Sequence, residues 1–417
     1  MSKDNNVSFR HLVVGCGNDV NSINFDNAAT TPPLVSVMDA VRDFACCYSS
    51  VHRGSGRRAD HCSGVYEQTR ADVLRFMGAD ENTHTALFTK NTTESLNLLA
   101  NIIPTNKKTV IVTEMEHHSN DLPWRRRFNV VHVLTDSAGR LDLNSLEYLL
   151  KKHRGDTAMV SVTGASNVTG FTNPLREISA IVHDYDAELC VDAAQLAPHK
   201  VIDMTADDID YLAFSAHKLY APFGTGVLVG RTGTFETAFP FMAGGGTVDI
   251  VRKNSVLWGV SPAKFEAGTP NLMGVVALGT AMKTLSSEGL ASIYAHESAL
   301  TDYALDRLER IDGVRLYSDR KGIGVISFNY KDIFHSDLAT ALSATAGIDV
   351  RSGCFCAQPY VQKLLNISLS DIALNLTDGH LRRPGMVRIS FGMYNSFEEV
   401  DRFCDALISI RGVSRSE

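Results

Sequence analysis

Short apolar runs alternate with helical patterns through the middle of this chain of 417 residues. The runs that have the length and composition of strands lie at residues 109–113, 130–134, 158–162, 188–192, 211–214 and 226–229. One of the intervening helices is predicted to begin with Asn173 as its cap and Pro174 at its first position. This alternation predicts an α/β fold in which helices cover both faces of a mostly parallel sheet.

The pattern changes after Asn271. Residues 272–308 have the periodicity of two long helices, and the later part of the chain mixes strands with helices. The strands are predicted at residues 314–317, 324–329 and 386–391. Ser396 and Glu399 have the spacing of a capping box and predict the start of the last helix. We therefore predict a large domain at residues 24–280 and a smaller α/β domain at residues 281–417, which the N-terminal segment 1–23 joins.

Composition and charge exclude several classes of protein. The 47 acidic and 40 basic residues give a formal net charge of -7, and no long basic block offers a nucleic-acid surface. No apolar run approaches the roughly 20 residues that span a bilayer, and the polar start does not resemble a secretion signal. The eight cysteines follow no regular spacing, which argues against structural disulfides. A soluble cytoplasmic protein is expected.

A lysine directly follows one of the predicted strands. Lys218 lies in a small, polar and glycine-rich stretch, and Asp192 stands at the carboxyl end of another strand. Since ligands of such sheets collect beyond the carboxyl ends of the strands, both side chains are expected to face one pocket. An amine and a carboxylate in one pocket suit pyridoxal 5'-phosphate (PLP), which bonds to a lysine and needs a carboxylate at its ring nitrogen. Gln195 is expected to donate to the ring hydroxyl.

Hydroxyl groups near these residues suit a phosphate. Ser215 and His217 precede the lysine, and Thr92 and Thr93 open a predicted helix, where free N–H groups favour an anion. Each residue also has a simpler interpretation. A lysine after a strand is usually a solvated surface residue, and Asp192 or the two threonines could serve only as helix caps. Their combination at the strand ends of one predicted sheet favours the PLP site.

Eight longer motifs resemble those of one family. They occupy residues 25–32, 115–120, 166–170, 191–195, 215–220, 265–271, 351–356 and 388–395. In this order they resemble the class V aminotransferase superfamily and, within it, the SUF-type cysteine desulfurases and selenocysteine lyases. The resemblance runs from Asn24 to the C-terminus. It implies PLP-dependent fold type I, with a seven-stranded, mostly parallel sheet in the large domain and a smaller C-terminal α/β domain.

The resemblance implies a role for each matching residue. Lys218 holds PLP covalently and moves protons, Asp192 pairs with the ring nitrogen, and Gln195 bonds the ring oxygen. His117 stacks on the ring and takes part in acid–base steps. The residues implied to hold the phosphate are Thr92, Thr93, Ser215 and His217. Thr269 is implied to reach the phosphate of the neighbouring subunit, so that the protein is a homodimer. The residues implied to contact the substrate are His52, Arg53, Arg388 and Asn167, of which Asn167 also contacts the cofactor.

The motif at residues 351–356 bears on the reaction, because Cys356 matches the nucleophilic cysteine of desulfurases. The resemblance implies that L-cysteine binds, Lys218 removes its Cα proton, and the Cys356 thiolate attacks the substrate sulfur. A persulfide then remains on Cys356 while L-alanine leaves. Arg351 is a candidate to favour the thiolate. Taken alone, Cys356 is better interpreted as a buried structural thiol; its place in the matching loop favours catalysis.

Two features depart from the SUF type. Cys354 and Phe355 stand where the common loop has two histidines, and two cysteines at this spacing resemble those of molybdenum cofactor sulfurases. Cys354 is a candidate resolving thiol that closes a disulfide or accepts the persulfide. The segment 361–383 is longer than its counterpart in the SUF type. Three interpretations stay open: it reshapes the mouth of the site, it docks a sulfur acceptor, or it is a tolerated surface insertion. Two thiols do not fill a zinc site, so no metal is expected.

Three hypotheses for the function follow. The first is a cysteine desulfurase that passes sulfur to an acceptor protein, with iron–sulfur cluster assembly among its destinations. The second is a carbon–sulfur or carbon–selenium lyase, or an epimerase-like class V enzyme, which forms no persulfide and keeps its activity in Cys356→Ser. The third is a sulfur-relay or scaffold protein, which releases negligible alanine without an acceptor.

Overall fold

The computed structural model describes residues 8–15, 22–368, 370–371 and 382–410. Cys16 and parts of the segments 1–23 and 361–383 lie outside the described residues. The strands are β1 (Ile23–Asn24), β2 (His84–Thr89), β3 (Thr109–Thr113), β4 (Asn129–Val133), β5 (Thr157–Thr163), β6 (Glu188–Asp192), β7 (Tyr211–Ser215), β8 (Gly226–Arg231), β9 (Val248–Arg252), β10 (Ser255–Trp258), β11 (Val314–Leu316), β12 (Val325–Tyr330), β13 (Ile348–Asp349), β14 (Arg351–Gly353) and β15 (Met386–Ser390). The helices are α1 (Val35–Phe44), α2 (Arg57–Phe76), α3 (Thr92–Ile102), α4 (Leu143–Lys152), α5 (Leu175–His183), α6 (Thr232–Thr237), α7 (Leu272–Glu288), α8 (Leu290–Leu308), α9 (His335–Ala346), α10 (Gln358–Leu364) and α11 (Phe397–Ser409).

A seven-stranded sheet forms the centre of the fold. Its strand order is β2-β8-β7-β6-β5-β3-β4, and β8 alone runs antiparallel to its neighbours. The predicted α/β class with a mostly parallel sheet is therefore confirmed. The six strands predicted for this sheet agree with the observed ones to within two residues at each end. Strand β2 was missed, because only its three central residues are buried and apolar.

Both faces of this sheet are buried, as the alternating side chains of β3 illustrate. Val110 and Val112 belong to one core cluster, which includes residues of α3 and α6. Ile111 belongs to the other, which includes residues of α1, α2, α4, α5 and α7. Successive side chains of a strand point to opposite faces, so a strand covered on both faces is apolar throughout. This is why the central strands are continuous apolar runs in the sequence.

A second, antiparallel sheet has the order β11-β12-β15-β14. Its core includes Phe328, Ile389 and Phe403, and β1 adds Ile23 through a parallel pairing with β13. The division of the chain into domains at 24–280 and 281–417 stays a prediction. Helix α7 crosses the proposed boundary, and its buried apolar side chains belong to the core of the larger sheet.

Of three predictions about helices, the two long helices within residues 272–308 and the start of the last helix are confirmed. Gly289, at a φ of 83°, separates α7 from α8, as a break between two long helices requires. The capping box of Ser396 and Glu399 begins α11 and is confirmed. The predicted cap of α5 was wrong by one residue: Pro174 is the cap, and the Asn173 amide instead donates to the Thr163 carbonyl (2.7 Å). No helix within the described ranges combines the length and hydropathy needed to cross a membrane.

Candidate active site

Three neighbouring strands of the large sheet end at one cavity. Strand β5 ends at Thr163, β6 at Asp192 and β7 at Ser215, and a 3-10 turn, Ala216–Lys218, follows β7 directly. The cavity has a volume of about 260 Å³. Most of the predicted site residues line it: Thr92, Thr93, His117, Asn167, Asp192, Gln195, Ser215, His217, Lys218, Cys356 and Arg388. The expected meeting of Lys218 and Asp192 at the carboxyl ends of the strands is therefore observed.

The cavity changes the chemistry of its amine. Burial lowers the pKa of the Lys218 amine to about 8, although the charge of Asp192 acts in the opposite direction. Asp192 is 3% exposed, and burial raises the pKa of its carboxyl. The hydrogen bond from the Ala194 N–H (2.9 Å) acts in the opposite direction but has the smaller effect. Roughly a tenth to a fifth of Lys218 is therefore neutral near neutral pH, far more than of a lysine with an ordinary pKa, and a neutral amine is the nucleophilic form.

Hydroxyl groups gather at the start of α3. The side chain of Asn91 caps this helix by accepting from the Glu94 N–H (3.0 Å), so the threonines that follow it are not the caps. The hydroxyl of Thr92 lies 2.7 Å from that of Ser215, and the Thr93 hydroxyl lies 2.7 Å from that of Ser119. The capping alternative for the threonines is thus wrong. The hydroxyls and the positive end of the helix together form an environment for an anion.

His117 lies on the cavity wall as a neutral ring. Burial, with the charge of Lys218, lowers the pKa of His117 to about 4. The Ser119 N–H donates to Nδ1 of His117 (3.1 Å), which leaves the proton of the neutral ring on Nε2. A neutral, oriented imidazole suits stacking on a flat ring. Gln195 is also fixed, because its amide donates to the Ala28 carbonyl (2.7 Å).

Arg388 is the buried cation of the cavity. Its guanidinium is 3% exposed and donates to the Asn167 carbonyl (2.9 Å) and to Oδ1 of Asp26 (3.0 Å). The Nε of Arg388 is buried without a hydrogen-bond partner. Such an orphaned donor is costly unless a ligand accepts from it. Arg388 also lines the cavity, where its positive charge suits a carboxylate, which fits its predicted role toward the substrate.

Cys356 lies in a tight turn beside Arg388. The Ala357 N–H donates to the Cys354 carbonyl (2.9 Å), and the two residues between them, Phe355 and Cys356, have φ values of 51° and 56°. Both are left-handed, a conformation that costs a residue other than glycine roughly 1–2 kcal/mol. The Phe355 ring is buried 4.9 Å from the Arg388 guanidinium, whereas Cys356 is exposed. The alternative of a buried structural Cys356 is therefore wrong.

Cys354 has a different environment from Cys356. It is half-buried, and its thiol donates to the Pro384 carbonyl (3.3 Å). Burial raises the pKa of the Cys354 thiol, so its protonated form is favoured. The role of Cys354 as a resolving thiol stays a hypothesis. Much of the segment proposed to reshape the mouth of the site lies outside the described part of the chain.

Three predicted site residues lie apart from this cavity. Thr269 is exposed and lines a second cavity of about 150 Å³ together with Tyr66 and Glu266. His52 packs edge-on against Tyr66 at 5.6 Å, and Arg53 lies next to Gly246. One protomer therefore does not bring Thr269, His52 and Arg53 to Lys218. The roles of all three stay predictions, and that of Thr269 involves a second subunit.

A buried ion pair supports the wall of the second cavity. Arg70 donates to both carboxylate oxygens of Glu266 (2.8 and 3.0 Å), and the two side chains are 7% and 6% exposed. We expect Arg70→Met to lower the free energy of unfolding by about 3–5 kcal/mol, since it leaves a buried carboxylate without its cation. Chemical denaturation measures this change. The exposed Arg42, which pairs with Asp39, is the control. Equal stability of Arg70→Met and Arg42→Met would contradict the prediction.

Sequence reasoning missed several residues of the cavity. Ser119, Thr163 and Phe355 line it, and Asp26 holds Arg388 from outside. Asp26 and Phe355 lie within recognised motifs, yet nothing in their type or spacing indicated a contact with an arginine. His118 lies within the motif at residues 115–120 without an implied role, and its side chain accepts from the Gln358 N–H beside the cysteine turn (3.2 Å).

Comparisons with known proteins agree with this geometry. A probable cysteine desulfurase of Halalkalibacterium halodurans is 34% identical over 394 residues, which cover 92% of this chain and 91% of the relative. The apo structure of a cysteine desulfurase from Thermococcus onnurineus matches with a TM-score of 0.82 and 34% identity, over 93% of this chain and 94% of that one. The cysteine desulfurase CsdA of Escherichia coli matches with a TM-score of 0.83 and 29% identity, over 96% of each chain.

The family described as Aminotransferase class-V matches residues 23–403. The chain belongs to the class-V aminotransferase family. Members of this family that act as cysteine desulfurases are PLP-dependent, and the cavity has the groups that PLP requires. Lys218 offers a nucleophilic amine for the aldehyde, Asp192 a carboxylate for the ring nitrogen, and the start of α3 its hydroxyls for the phosphate. This class-V protein is thus a PLP-dependent enzyme of fold type I.

The lowered pKa of Lys218 predicts how a class-V enzyme of this sequence takes up its cofactor. Only the neutral amine bonds to an aldehyde, so uptake by cofactor-free protein should accelerate with pH and level off above the pKa of about 8. An ordinary lysine, with a pKa of about 10.4, would still gain rate beyond pH 9. The growth of cofactor absorbance, followed from pH 6 to 10, measures the profile. A rate that keeps rising to pH 10 would show that Lys218 has an ordinary pKa.

Proposed function

We propose that this chain is a cysteine desulfurase, which converts L-cysteine and the thiol of Cys356 into L-alanine and a persulfide on Cys356. One observation carries the proposal: Cys356 is exposed to the same cavity as Lys218, Asp192 and Arg388. A lyase or epimerase of this fold needs the lysine and the aspartate, but it does not need a cysteine in the cavity. The relative from Halalkalibacterium halodurans and the two solved structures bear the same activity in their names.

Arg388 and Lys218 act first in this proposal. The guanidinium of Arg388 donates to the carboxylate of L-cysteine, so the amino acid enters with a fixed orientation. PLP, when bound, delocalises the negative charge that develops at the Cα of the substrate. Lys218 removes the Cα proton, and its pKa of about 8 suits a general base near neutral pH. His117 covers the reacting face as a neutral ring.

Cys356 then takes the sulfur. Its thiolate attacks the substrate sulfur, an S–S bond forms, and the C–S bond breaks with its electron pair returning to carbon. That carbon takes up a proton, and L-alanine leaves. Cys356 interacts electrostatically with Lys218 and Arg388, both of which attract a thiolate. No oxidant is needed, because the sulfur arrives already bonded to carbon and leaves as the outer atom of the persulfide.

The proposal includes a homodimer. Thr269 is exposed and lines a second cavity together with the exposed Phe241 and Met242. The segment that precedes Thr269 in the chain exposes further large hydrophobic side chains: Phe239, Val251, Leu257 and Val260. Exposed apolar side chains in such number are typical of an interface between subunits. In a twofold dimer, Thr269, His52 and Arg53 of one subunit would complete the Lys218 cavity of the other.

The proposal also includes an acceptor protein in the cytoplasm, with iron–sulfur cluster assembly as one destination of the sulfur. Exposure of Cys356 supports transfer to an external thiol, because the outer sulfur of its persulfide is accessible at the cavity mouth. Every cysteine within the described residues is a free thiol. Free thiols throughout a chain are typical of a reducing compartment.

Alanine release from L-cysteine by the wild-type protein tests the function. With dithiothreitol present, alanine and sulfide should form in equal amounts over many turnovers. Without a reductant, one equivalent of alanine per active site should form, and mass spectrometry should find one additional sulfur atom on the peptide that contains Cys356. Turnover without any sulfur on Cys356 would favour the lyase hypothesis. Absence of alanine until an acceptor protein is added would favour the relay hypothesis.

A further inference from the structure

The turn that contains Cys356 is held by contacts from outside it. Phe355 and Cys356 are both left-handed, and turns of this kind are normally built from asparagine and glycine. Neither residue lowers the cost of the conformation, so the surrounding structure has to impose it. The Asn167 amide donates to the Phe355 carbonyl (2.7 Å), which fixes one side of the turn.

His118 holds the other side of the turn at two points. Its N–H donates to the Cys356 carbonyl (2.6 Å), and its Nε2 accepts from the Gln358 N–H (3.2 Å). The two contacts lie on the nucleophile itself and two residues after it, at the start of α10. The carbonyl of Cys356 and the chain that follows it are therefore fixed relative to the 3-10 turn His118–Asn120, which follows β3.

The same residue is joined directly to the ring-facing histidine. His117 lines the cavity, and Ser119 fixes its Nδ1. His118 does not line the cavity, so it is not in a position to exchange protons with a substrate there. The adjacent residues His117 and His118 therefore have separate tasks. His117 faces the position of the PLP ring, and His118 holds the turn of the cysteine that attacks the sulfur.

We propose that His118 is a positioning residue for the nucleophile, whose Nε2 keeps the strained turn of Cys356 aimed at the substrate sulfur. The proposal deepens the desulfurase function and rests on it. Without the Nε2 acceptor, the Gln358 N–H loses its partner and the turn can relax toward right-handed conformations. A nucleophile displaced by about 1 Å can lose roughly 10²-fold in rate.

A pair of variants isolates the Nε2 contact. In His118→Leu the main-chain bond to Cys356 remains possible, and only the side-chain acceptor is lost. In His118→Gln the amide oxygen replaces Nε2 as the acceptor for the Gln358 N–H. We expect His118→Leu to form the persulfide about 30- to 100-fold more slowly in a single turnover, mainly in kcat rather than KM, and His118→Gln to stay within about 3-fold of wild type.

A second measurement separates positioning of the thiol from damage to the cavity. Exchange of the Cα hydrogen of L-alanine in deuterated water depends on Lys218 and does not involve Cys356. His118→Leu should keep this exchange within about 3-fold of wild type while persulfide formation falls. The proposal is overturned if both rates fall together, if His118→Gln falls as far as His118→Leu, or if His118→Leu forms persulfide at the wild-type rate.

The rate of alkylation of Cys356 by iodoacetamide tests the contact without any turnover. A relaxed turn should change this rate by at least about 3-fold in His118→Leu relative to both wild type and His118→Gln. Equal rates in the three proteins would overturn the positioning role. If the wild type forms no persulfide from L-cysteine, the desulfurase function fails, and a changed alkylation rate would still support the effect of His118 on the turn.

Discussion

Lys218→Arg is expected to lose alanine release from L-cysteine by at least roughly 10³-fold, as is typical when a central catalytic group is removed. The substitution keeps a positive charge near Asp192, so the electrostatic balance of the cavity changes little. A guanidinium does not give up its proton in a protein, whereas the amine of Lys218 has a pKa of about 8. The variant therefore lacks both the neutral amine that bonds to PLP and the base that removes the Cα proton.

Two measurements separate these two losses. Cofactor absorbance reports the covalent bond, and exchange of the Cα hydrogen of L-alanine in deuterated water reports proton removal. Both should be lost in Lys218→Arg and kept in the control Lys200→Arg, because Lys200 lies outside the cavity and stacks on Tyr294 (4.7 Å). If Lys218→Arg exchanged this hydrogen at the wild-type rate, another residue would be the base, and the assignment of Lys218 would be wrong.

The sequence predicted the large sheet because burial on both faces leaves a simple signal. Strand β6 is apolar or buried along almost its whole length, and it ends in the acid that faces the cavity. Strand β2 and the hairpin β9–β10 lacked that signal. In β2 only the centre is buried, and the residues of β9 and β10 are mostly exposed in a single chain. A strand that is mostly exposed, or buried only at its centre, does not show the apolar run by which the other strands were predicted.

The capping error at α5 has a similar cause. Asn173 is a good cap by type and position, but its side-chain NH2 donates to the Thr163 carbonyl at the end of β5, and this bond orients the side chain toward the strand. A tertiary hydrogen bond thus overrides a local preference. At Thr92 and Thr93 the competition is local, since the preceding Asn91 supplies the cap and leaves their hydroxyls free to contact Ser215 and Ser119.

Within the site, the residues on strand ends were predictable and the contacts between distant segments were not. Lys218 and Asp192 follow from the rule that ligands bind beyond the carboxyl ends of parallel strands. The bond from Arg388 to Asp26 joins residues 362 positions apart, and the bond from Gln358 to His118 spans 240 positions. Neither leaves a periodic trace in the sequence. The left-handed turn at Phe355 and Cys356 was equally hidden, because neither residue type favours it.

Cys356→Ser is expected to lose persulfide formation completely and alanine release by at least roughly 10³-fold, because a serine hydroxyl is far less nucleophilic toward sulfur than a thiolate. The rest of the cavity is unchanged by the substitution. Cofactor absorbance and exchange of the Cα hydrogen of L-alanine should therefore remain at wild-type levels, since both depend on Lys218. That combination separates loss of the sulfur-accepting thiol from collapse of the site.

Two further cysteine variants complete this experiment. Cys46→Ser alters an exposed thiol that does not line the cavity, and it should release alanine at the wild-type rate. Cys354→Ala removes the half-buried thiol next to the turn, and unchanged sulfur transfer with unchanged sensitivity to oxidation would exclude a resolving role. If Cys356→Ser released alanine as fast as wild type, Cys356 would not be the sulfur acceptor. The enzyme would then be a lyase that uses Lys218, Asp192 and Arg388 without a persulfide.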